Sequence, residues 1–102
     1  MFTDVFFKYG ECHRETGPAV IYHDDDGLLY SEIYYMAGKR HRVDGPAVII
    51  YNDEDTIYYE KYYINDKLHR EDGPAFIAYD DYGHVIIEKY YISGVLLNNS
   101  IE

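Results

Sequence analysis

Apolar and polar side chains alternate along much of this chain, most clearly over residues 57–64. A period of two places successive side chains on opposite faces of an extended strand. No segment carries apolar residues at the i, i+3, i+4 and i+7 spacing of an amphipathic helix. Tyr, Ile and Val, which favour half-buried pleated sheets, dominate the apolar residues. The pattern therefore predicts an all-β protein.

A second, longer period of 28 residues lies over this alternation. Residues 38–65 and 66–93 are identical at 15 of 28 positions without a gap. A His-Arg pair begins at residues 13, 41 and 69, and a Gly-Pro-Ala triplet begins at 17, 45 and 73. A Tyr pair begins at 34, 62 and 90. We therefore predict a single repeat domain over 1–102, with an N-terminal capping strand (1–9), three repeats (10–37, 38–65 and 66–93) and a degraded C-terminal cap (94–102).

Each repeat predicts two strands and two turns. A short strand follows the proline, which cannot donate to a sheet ladder and therefore suits a strand start; these strands cover 19–22, 47–51 and 75–79. Asp and Gly supply a turn, and a longer strand follows at 28–36, 57–64 and 85–92. We expect an antiparallel meander of about seven strands, built from three and a half hairpin repeats. Tyr22 comes one residue earlier in its repeat than Tyr51 and Tyr79, which predicts a bulge there.

Charge narrows the choice of partners. The chain has 19 acidic and 9 basic residues and a formal net charge of −10, so nucleic acid and anionic membranes would repel it. Eight acids share the turn after the short strand and would line one edge of the sheet: Asp24, Asp25, Asp26, Asp53, Glu54, Asp55, Asp80 and Asp81. Three interpretations stay open. The acids form solvated turns that hinder edge aggregation, an electrostatic binding edge spaced like the phosphates of a single nucleic-acid strand, about one per 3.4 Å, or a cation site.

Tyrosine is the other abundant feature, with 14 residues. Alternation predicts a row of tyrosines on each face of the sheet. One row contains Tyr35, Tyr59, Tyr63 and Tyr91. The other is the candidate aromatic face for protein binding: Tyr30, Tyr34, Tyr58, Tyr62 and Tyr90. At least one face should form the core, and part of the other should meet a partner, because tyrosine combines an apolar ring with a polar tip.

The turn between repeats concentrates His, Arg and Asp, a combination that also occurs in metal sites. We interpret these residues as structural turns: His13, Arg14, His41, Arg42, Asp44, His69, Arg70 and Asp72. Equivalent histidines are two strands apart, about 10 Å, whereas zinc needs ligands at about 2 Å, so we expect no metal and no cofactor. The single cysteine, Cys12, cannot form an intrachain disulfide, and no nucleophile or phosphate-loop motif is present. We therefore do not expect an enzyme.

The unit Gly-Lys-x-His-Arg-x-Asp-Gly-Pro-Ala, followed by an apolar strand, an Asp/Gly turn and Tyr-Tyr-x-x-Gly, resembles the MORN-type repeat. It is especially similar to the elongated His-Arg-x-Asp-Gly-Pro-Ala variant of phage, giant-virus and bacterial proteins. The resemblance covers about 2–97 and implies β-hairpins stacked into one elongated, curved sheet. It implies several functions: scaffold, membrane-associated module or antitoxin. This unit is longer than the usual MORN hairpin and carries Tyr in place of Trp, and its charge disfavours lipid binding.

These features predict a non-enzymatic acidic protein that inhibits a larger target by docking on a basic, nucleic-acid-binding surface. A phage anti-defence inhibitor of the anti-CRISPR type fits the charge, the size and the resemblance. The alternative is a MORN-like scaffold or antitoxin-type protein that binds one cognate protein through its tyrosine face. We expect a protein partner with a basic surface, no direct nucleic-acid binding and no membrane; a homodimer is left open. The lone cysteine and the lack of a signal-like segment predict the cytoplasm, which is the host cytoplasm for a phage protein.

Overall fold

The computed structural model describes residues 2–54 and 56–101, with Phe2 and residues 98–101 described by their backbone alone. Every regular element in this part of the chain is a β-strand. None of the described segments forms a helix that is long and apolar enough to cross a membrane. The strands are β1 (Phe2–Val5), β2 (Phe7–Lys8), β3 (Glu11–Cys12), β4 (Val20–His23), β5 (Leu29–Ile33), β6 (Tyr35–Met36), β7 (Lys39–Arg40), β8 (Val48–Tyr51), β9 (Ile57–Lys61), β10 (Tyr63–Ile64), β11 (Lys67–Leu68), β12 (Phe76–Tyr79), β13 (Val85–Ile92) and β14 (Val95–Ile101).

One large antiparallel sheet contains eight of the described strands, in the order β1-β4-β5-β8-β9-β12-β13-β14. The six short strands form two-stranded ladders beside it, β2 with β3, β6 with β7 and β10 with β11. The prediction of an all-β, antiparallel fold is therefore confirmed. The described strands that pair in the main sheet follow each other along it without a crossover, because the short connections allow only neighbouring pairs.

The predicted number of about seven strands is too low. The additional strand of the main sheet is β14, in the segment that the sequence marks only as a degraded cap. The long strands predicted at 28–36 and 57–64 are also wrong as continuous elements, since they break at Tyr34 and Tyr62. At the first break, the Tyr34 N–H donates to the Ala47 carbonyl and the Tyr34 carbonyl accepts from His41 N–H, so the backbone leaves the main sheet there. The strand at 85–92 stays continuous because β14 pairs along it.

A bulge lies beside the turn in each hairpin of the main sheet formed by β4–β5, β8–β9 and β12–β13. In the first, Tyr22 pairs with Ser31 and His23 pairs with Leu29, which leaves Tyr30 as the extra residue. Tyr58 takes this place in the second hairpin. The register thus shifts between Tyr22 and His23, where a bulge was expected, but the later hairpins shift in the same way and the extra residue lies on the opposite strand. His23 occupies the register position of the later strand-end tyrosines.

The register defines two faces with different chemistry. Directly opposed residues of an antiparallel pair point to the same face. One row across the sheet, which we call the glutamate face, contains Ile21, Glu32, Ile49, Glu60, Ile77 and Glu88. The next residue of each strand points to the other side. That side, which we call the lysine face, contains Val20, Ile33, Val48, Lys61, Phe76 and Lys89.

The buried core is small and lies where the Gly-Pro-Ala segments enter the sheet. The alanine of each segment is fully buried: Ala19, Ala47 and Ala75. Ala47 packs with Val48 and Tyr63, and Tyr34, at the break after β5, and Leu68 of β11 pack against them. The molecule measures 38 × 32 × 17 Å, so it is a slab in which the ladders supply part of a second layer. The sheet thereby buries apolar side chains without any helix in the described chain.

Candidate protein-binding surfaces

The acidic turns join the strands of the three hairpins at one end of the main sheet, and each begins with a side chain that caps the turn. The Asp24 Oδ1 atom accepts hydrogen bonds from the N–H groups of Asp26 and Leu28, both at 2.9 Å. Asp80 Oδ1 accepts in the same way from the N–H groups of Tyr82 and His84. The His84 N–H bond is the main cause that holds the pKa of Asp80 below its usual value. These two carboxylates therefore have a structural role in their turns.

Asn52 occupies the capping position in the middle turn. Its Oδ1 atom accepts from the N–H groups of Glu54 at 2.9 Å and Thr56 at 3.2 Å. Sequence reasoning missed Asn52 because it counted charges. The signal was the 28-residue spacing, which relates Asn52 to Asp24 and Asp80.

The remaining acids of these turns project to solvent. The exposed ones among the described residues are Asp25, Asp26, Asp53, Glu54 and Asp81, whereas Asp24 and Asp80 are half-buried. Asp55, which also belongs to the predicted set, lies outside the described residues. Successive turns are two strands apart, about 10 Å, and they lie at the same end of the sheet. We call the acidic residues of these three turns the acidic edge.

The opposite end of the sheet pairs its charges. Arg42 Nε lies 3.1 Å from Asp44 Oδ1, and Arg70 makes the same pair with Asp72 at 3.2 Å. Arg40 Nε contacts Asp66 Oδ1 at 2.5 Å, and this contact is the main cause that lowers the pKa of Asp66. Basic and acidic groups therefore compensate each other at this end, which makes it a weak electrostatic surface.

Each Arg of the His-Arg pairs lies over an aromatic ring. The guanidinium carbons of Arg14, Arg42 and Arg70 are 4.0, 4.0 and 4.1 Å from the ring centroids of Phe6, Tyr34 and Tyr62. Arg42 Nη1 also donates to the Pro46 carbonyl at 3.1 Å, as Arg70 does to Pro74. Tyr34 and Tyr62, expected on the aromatic face, thus have one ring face covered by arginine.

The histidines of the same turns make a different contact. The Nδ1 atoms of His13, His41 and His69 accept the backbone N–H of Ala37, Asn65 and Ser93, at 3.0, 3.0 and 2.9 Å. These acceptors fix the imidazole tautomer, with Nδ1 unprotonated. Each N–H belongs to a residue with a positive φ, near 50°, in the following turn, a conformation that is unfavourable for residues other than glycine. In the described chain, no group of three or more His, Cys, Asp and Glu side chains could hold a metal ion.

The tyrosines of the predicted aromatic face fall into different environments. Tyr30 and Tyr58 are the extra residues of two bulges, and they are 47% and 53% exposed next to the acidic turns. Tyr90 is half-buried in β13 opposite Asn98. Tyr82, which sequence reasoning did not select, is 87% exposed within the third acidic turn. Exposed tyrosines and exposed carboxylates therefore share one end of the sheet.

Two half-buried tyrosines donate hydrogen bonds to two glutamates of the glutamate face. The Tyr51 hydroxyl donates to Glu32 Oε1 at 2.7 Å, and the Tyr79 hydroxyl donates to Glu60 Oε1 at 2.5 Å. Burial, together with this hydrogen bond to Glu60, raises the pKa of Tyr79. Glu32 and Glu60 are therefore occupied within the sheet by hydroxyl donors of the next hairpin.

No family model matches this chain, and neither a curated protein nor a solved structure matches it. The fold and its surfaces define the class: an all-β protein with one large antiparallel sheet whose hairpin turns carry exposed carboxylates and tyrosines.

Proposed function

We propose that this protein is a non-enzymatic binding protein that inhibits a larger target by docking its acidic edge on a basic, nucleic-acid-binding surface. The observation that supports this function best is the exposure of Asp25, Asp26, Asp53, Glu54 and Asp81 at one end of the sheet, beside the exposed rings of Tyr30, Tyr58 and Tyr82. Carboxylates supply attraction to a basic groove, and tyrosines supply contact area and cation–π acceptors for its Lys and Arg side chains.

The charge at this end is unbalanced. Eight of the 19 acidic residues belong to the three turns, and segments 23–28, 52–56 and 80–84 contain neither Lys nor Arg. A concentrated negative edge raises the encounter rate with a basic partner and aligns the two surfaces. The exposed acids are grouped in turns about 10 Å apart, which gives a mean density of the same order as one phosphate per about 3.4 Å in a single strand. The edge is therefore suited to compete with nucleic acid for the same groove.

The repeat interpretation is part of this proposal: three and a half MORN-like hairpin units present the same groups at regular intervals. It is supported by contacts that recur every 28 residues, such as the bonds accepted by His13, His41 and His69. The resemblance to repeats of phage proteins extends the proposal to anti-defence inhibition of the anti-CRISPR type, with a nuclease or a related nucleic-acid enzyme as the target.

Charge-neutralised variants test the acidic edge. The edge variant is D25N/D26N/D53N/E54Q/D81N, which keeps the turn caps Asp24, Asn52 and Asp80. The matched control neutralises five acids at the opposite end: E11Q/E15Q/D44N/E71Q/D72N. Immobilised wild type and control should retain nucleic-acid-binding proteins from a cell lysate, excess single-stranded oligonucleotide should displace those proteins, and the edge variant should lose them. Equal retention by both variants would exclude docking through the acidic edge.

A second function is supported by the exposure of Tyr30 and Tyr58. In this alternative, the protein is a scaffold or antitoxin-type protein that binds one cognate protein mainly through its tyrosines. Its binding should persist in 1 M salt, where the Debye length falls to about 3 Å, and should fail in the Y30S/Y58S variant. Binding that is lost with salt and kept in Y30S/Y58S would favour the acidic edge instead.

A further inference from the structure

Two lysines flank one aromatic ring on the lysine face. Phe76 of β12 pairs directly with Lys61 of β9 on one side and with Lys89 of β13 on the other. The Nζ atoms lie 5.8 and 5.5 Å from the centroid of the Phe76 ring. Lys61 Nζ also lies 5.1 Å from the ring centroid of Tyr59, which itself packs 5.8 Å from Phe76. The four side chains therefore form one cluster, in which the two ammonium groups lie near the aromatic rings of Tyr59 and Phe76.

These ammonium groups lack carboxylate partners in the described part of the chain. No ion pair there includes Lys61 or Lys89, whereas the neighbouring Arg40 is paired with Asp66. Burial and the nearby Arg40 guanidinium lower the pKa of Lys61. Both lysines are partly exposed to water, and the rings add cation–π contacts of about 0.5–2 kcal/mol. The cluster thus holds two charges that an anion would stabilise.

The glutamates next to the two lysines in sequence lie away from the cluster, and Asp66 pairs with the neighbouring Arg40. Glu60 and Glu88 precede the two lysines in sequence, but alternation places them on the opposite face. The nearest acidic turn begins at Asp80, four residues beyond Phe76, which is roughly 13 Å along an extended strand. The Debye length at physiological ionic strength is about 8 Å. Screening therefore weakens the effect of the acidic turns on the cluster.

We propose that Lys61, Phe76 and Lys89 form a binding site for a small dicarboxylate whose two carboxylate groups are joined by an apolar or aromatic body. The two lysines approach from strands on either side of Phe76, so their Cα atoms are about 10 Å apart. Because the two Nζ atoms lie 5.8 and 5.5 Å from the same ring centroid, they are at most about 11 Å apart, a distance that the two carboxylates of a small dicarboxylate can span. The body of the ligand would lie against Phe76 and Tyr59, while each ammonium group binds one carboxylate. The site is distinct from the acidic edge and independent of its proposed function.

Ligand titration followed by two-dimensional NMR of the amide groups tests the site. Terephthalate is the probe, benzoate is its monoanionic counterpart, and sodium chloride at equal ionic strength is the blank. We expect saturable shifts centred on residues 59–61, 76 and 87–90, and binding of terephthalate at least fivefold tighter than of benzoate. Shifts that match those of the salt blank, or that centre on Lys8, Lys39 and Lys67, would overturn the proposal.

A matched pair of variants separates the site from general charge. K61M/K89M should weaken terephthalate binding at least tenfold, whereas K39M/K67M, with the same net charge, should stay within twofold of wild type. Equal losses in the two variants would show that net charge is responsible and would refute the site. If K61M/K89M does not fold, as judged by circular dichroism, the single variant K89M should still weaken binding at least threefold. Unchanged binding by a folded K89M would equally refute the site.

Discussion

Gly45 gives a sharp test of the arginine–tyrosine stacks. A Cβ atom at Gly45 would lie 2.9 Å from Arg42 Cζ and 3.1 Å from its Nε, closer than real Cβ contacts allow. The equivalent Cβ at Gly17 would lie 3.5 Å from Arg14 Cζ, an ordinary contact. Neither glycine has a positive φ, so alanine introduces no backbone strain at either position. Gly45→Ala must therefore shift the Arg42 guanidinium relative to the Tyr34 ring, whereas Gly17→Ala leaves its own stack in place.

The energy of the displacement follows from the contacts that are lost. Arg42 would lose its position 4.0 Å above the Tyr34 ring, worth about 0.5–2 kcal/mol. It would also lose its bond to the Pro46 carbonyl, and a charged hydrogen bond contributes about 1.5–3 kcal/mol. Because the guanidinium ends a flexible side chain that is 24% exposed, only part of these contacts is lost, and we expect a loss of about 1 kcal/mol. For a domain of this size, the loss lowers Tm by roughly 5 °C.

Thermal unfolding followed by circular dichroism measures the effect. Gly17→Ala should change the free energy of unfolding by less than about 0.5 kcal/mol, or raise it slightly through the entropy of the unfolded chain. A double-mutant cycle adds the decisive control: in an Arg42→Met background, Gly45→Ala should cost almost nothing, because the displaced group is already absent. Equal destabilisation by the two alanine variants, or an undiminished cost in the Arg42→Met background, would refute the steric argument.

Three further predictions address the turns and the sheet. Thr16→Asp should give Arg14 the carboxylate partner that Arg42 and Arg70 have in Asp44 and Asp72, and it should raise Tm by a few degrees, for a gain of about 0.2–1 kcal/mol; an unchanged melting curve would contradict this. The pKa of Tyr79 is raised in the folded protein, so this residue contributes stability that is complete below the ordinary tyrosine pKa of about 10 and is lost as pH rises above it. In Tyr79→Phe, the free energy of unfolding measured with urea should therefore fall less steeply at alkaline pH. His41→Phe removes an acceptor from a backbone N–H and should cost about 1–2 kcal/mol, part of which His41→Gln should restore.

Alternation and turn residues are local signals, and they predicted the class of fold and the places of the hairpins. The breaks at Tyr34 and Tyr62 were missed because alternation continues through them; only the bonds to distant backbone groups show where the chain leaves the sheet. β14 was missed because residues 95–101 lack the Gly-Pro-Ala signature that marked β4, β8 and β12. Its pairing with β13 is nevertheless local, since Ile92 and Val95 flank a two-residue turn in which Ser93 and Gly94 both have a positive φ.

The candidate surfaces were predictable in position and less so in detail. The acidic turns lie at one end of the sheet, since the hairpins β4–β5, β8–β9 and β12–β13 all turn there. The sequence could not separate the capping positions, Asp24, Asn52 and Asp80, from exposed acids, because capping depends on bonds between a side chain and the turn backbone. It also treated Tyr34 and Tyr58 alike, although an arginine covers the first and a bulge exposes the second.

The lysine cluster shows why net charge is a poor guide to a β-sheet surface. Glu60-Lys61 and Glu88-Lys89 are adjacent in sequence, so each pair sums to zero in any count of charges along the chain. The pleat separates the members of each pair, and it sends the glutamates to one face and the lysines to the other. Because the same register holds in β9 and β13, like charges gather on each face instead of cancelling. A chain with a net charge of −10 can therefore present a positive, aromatic surface on one side of its sheet while its hairpin turns remain strongly acidic.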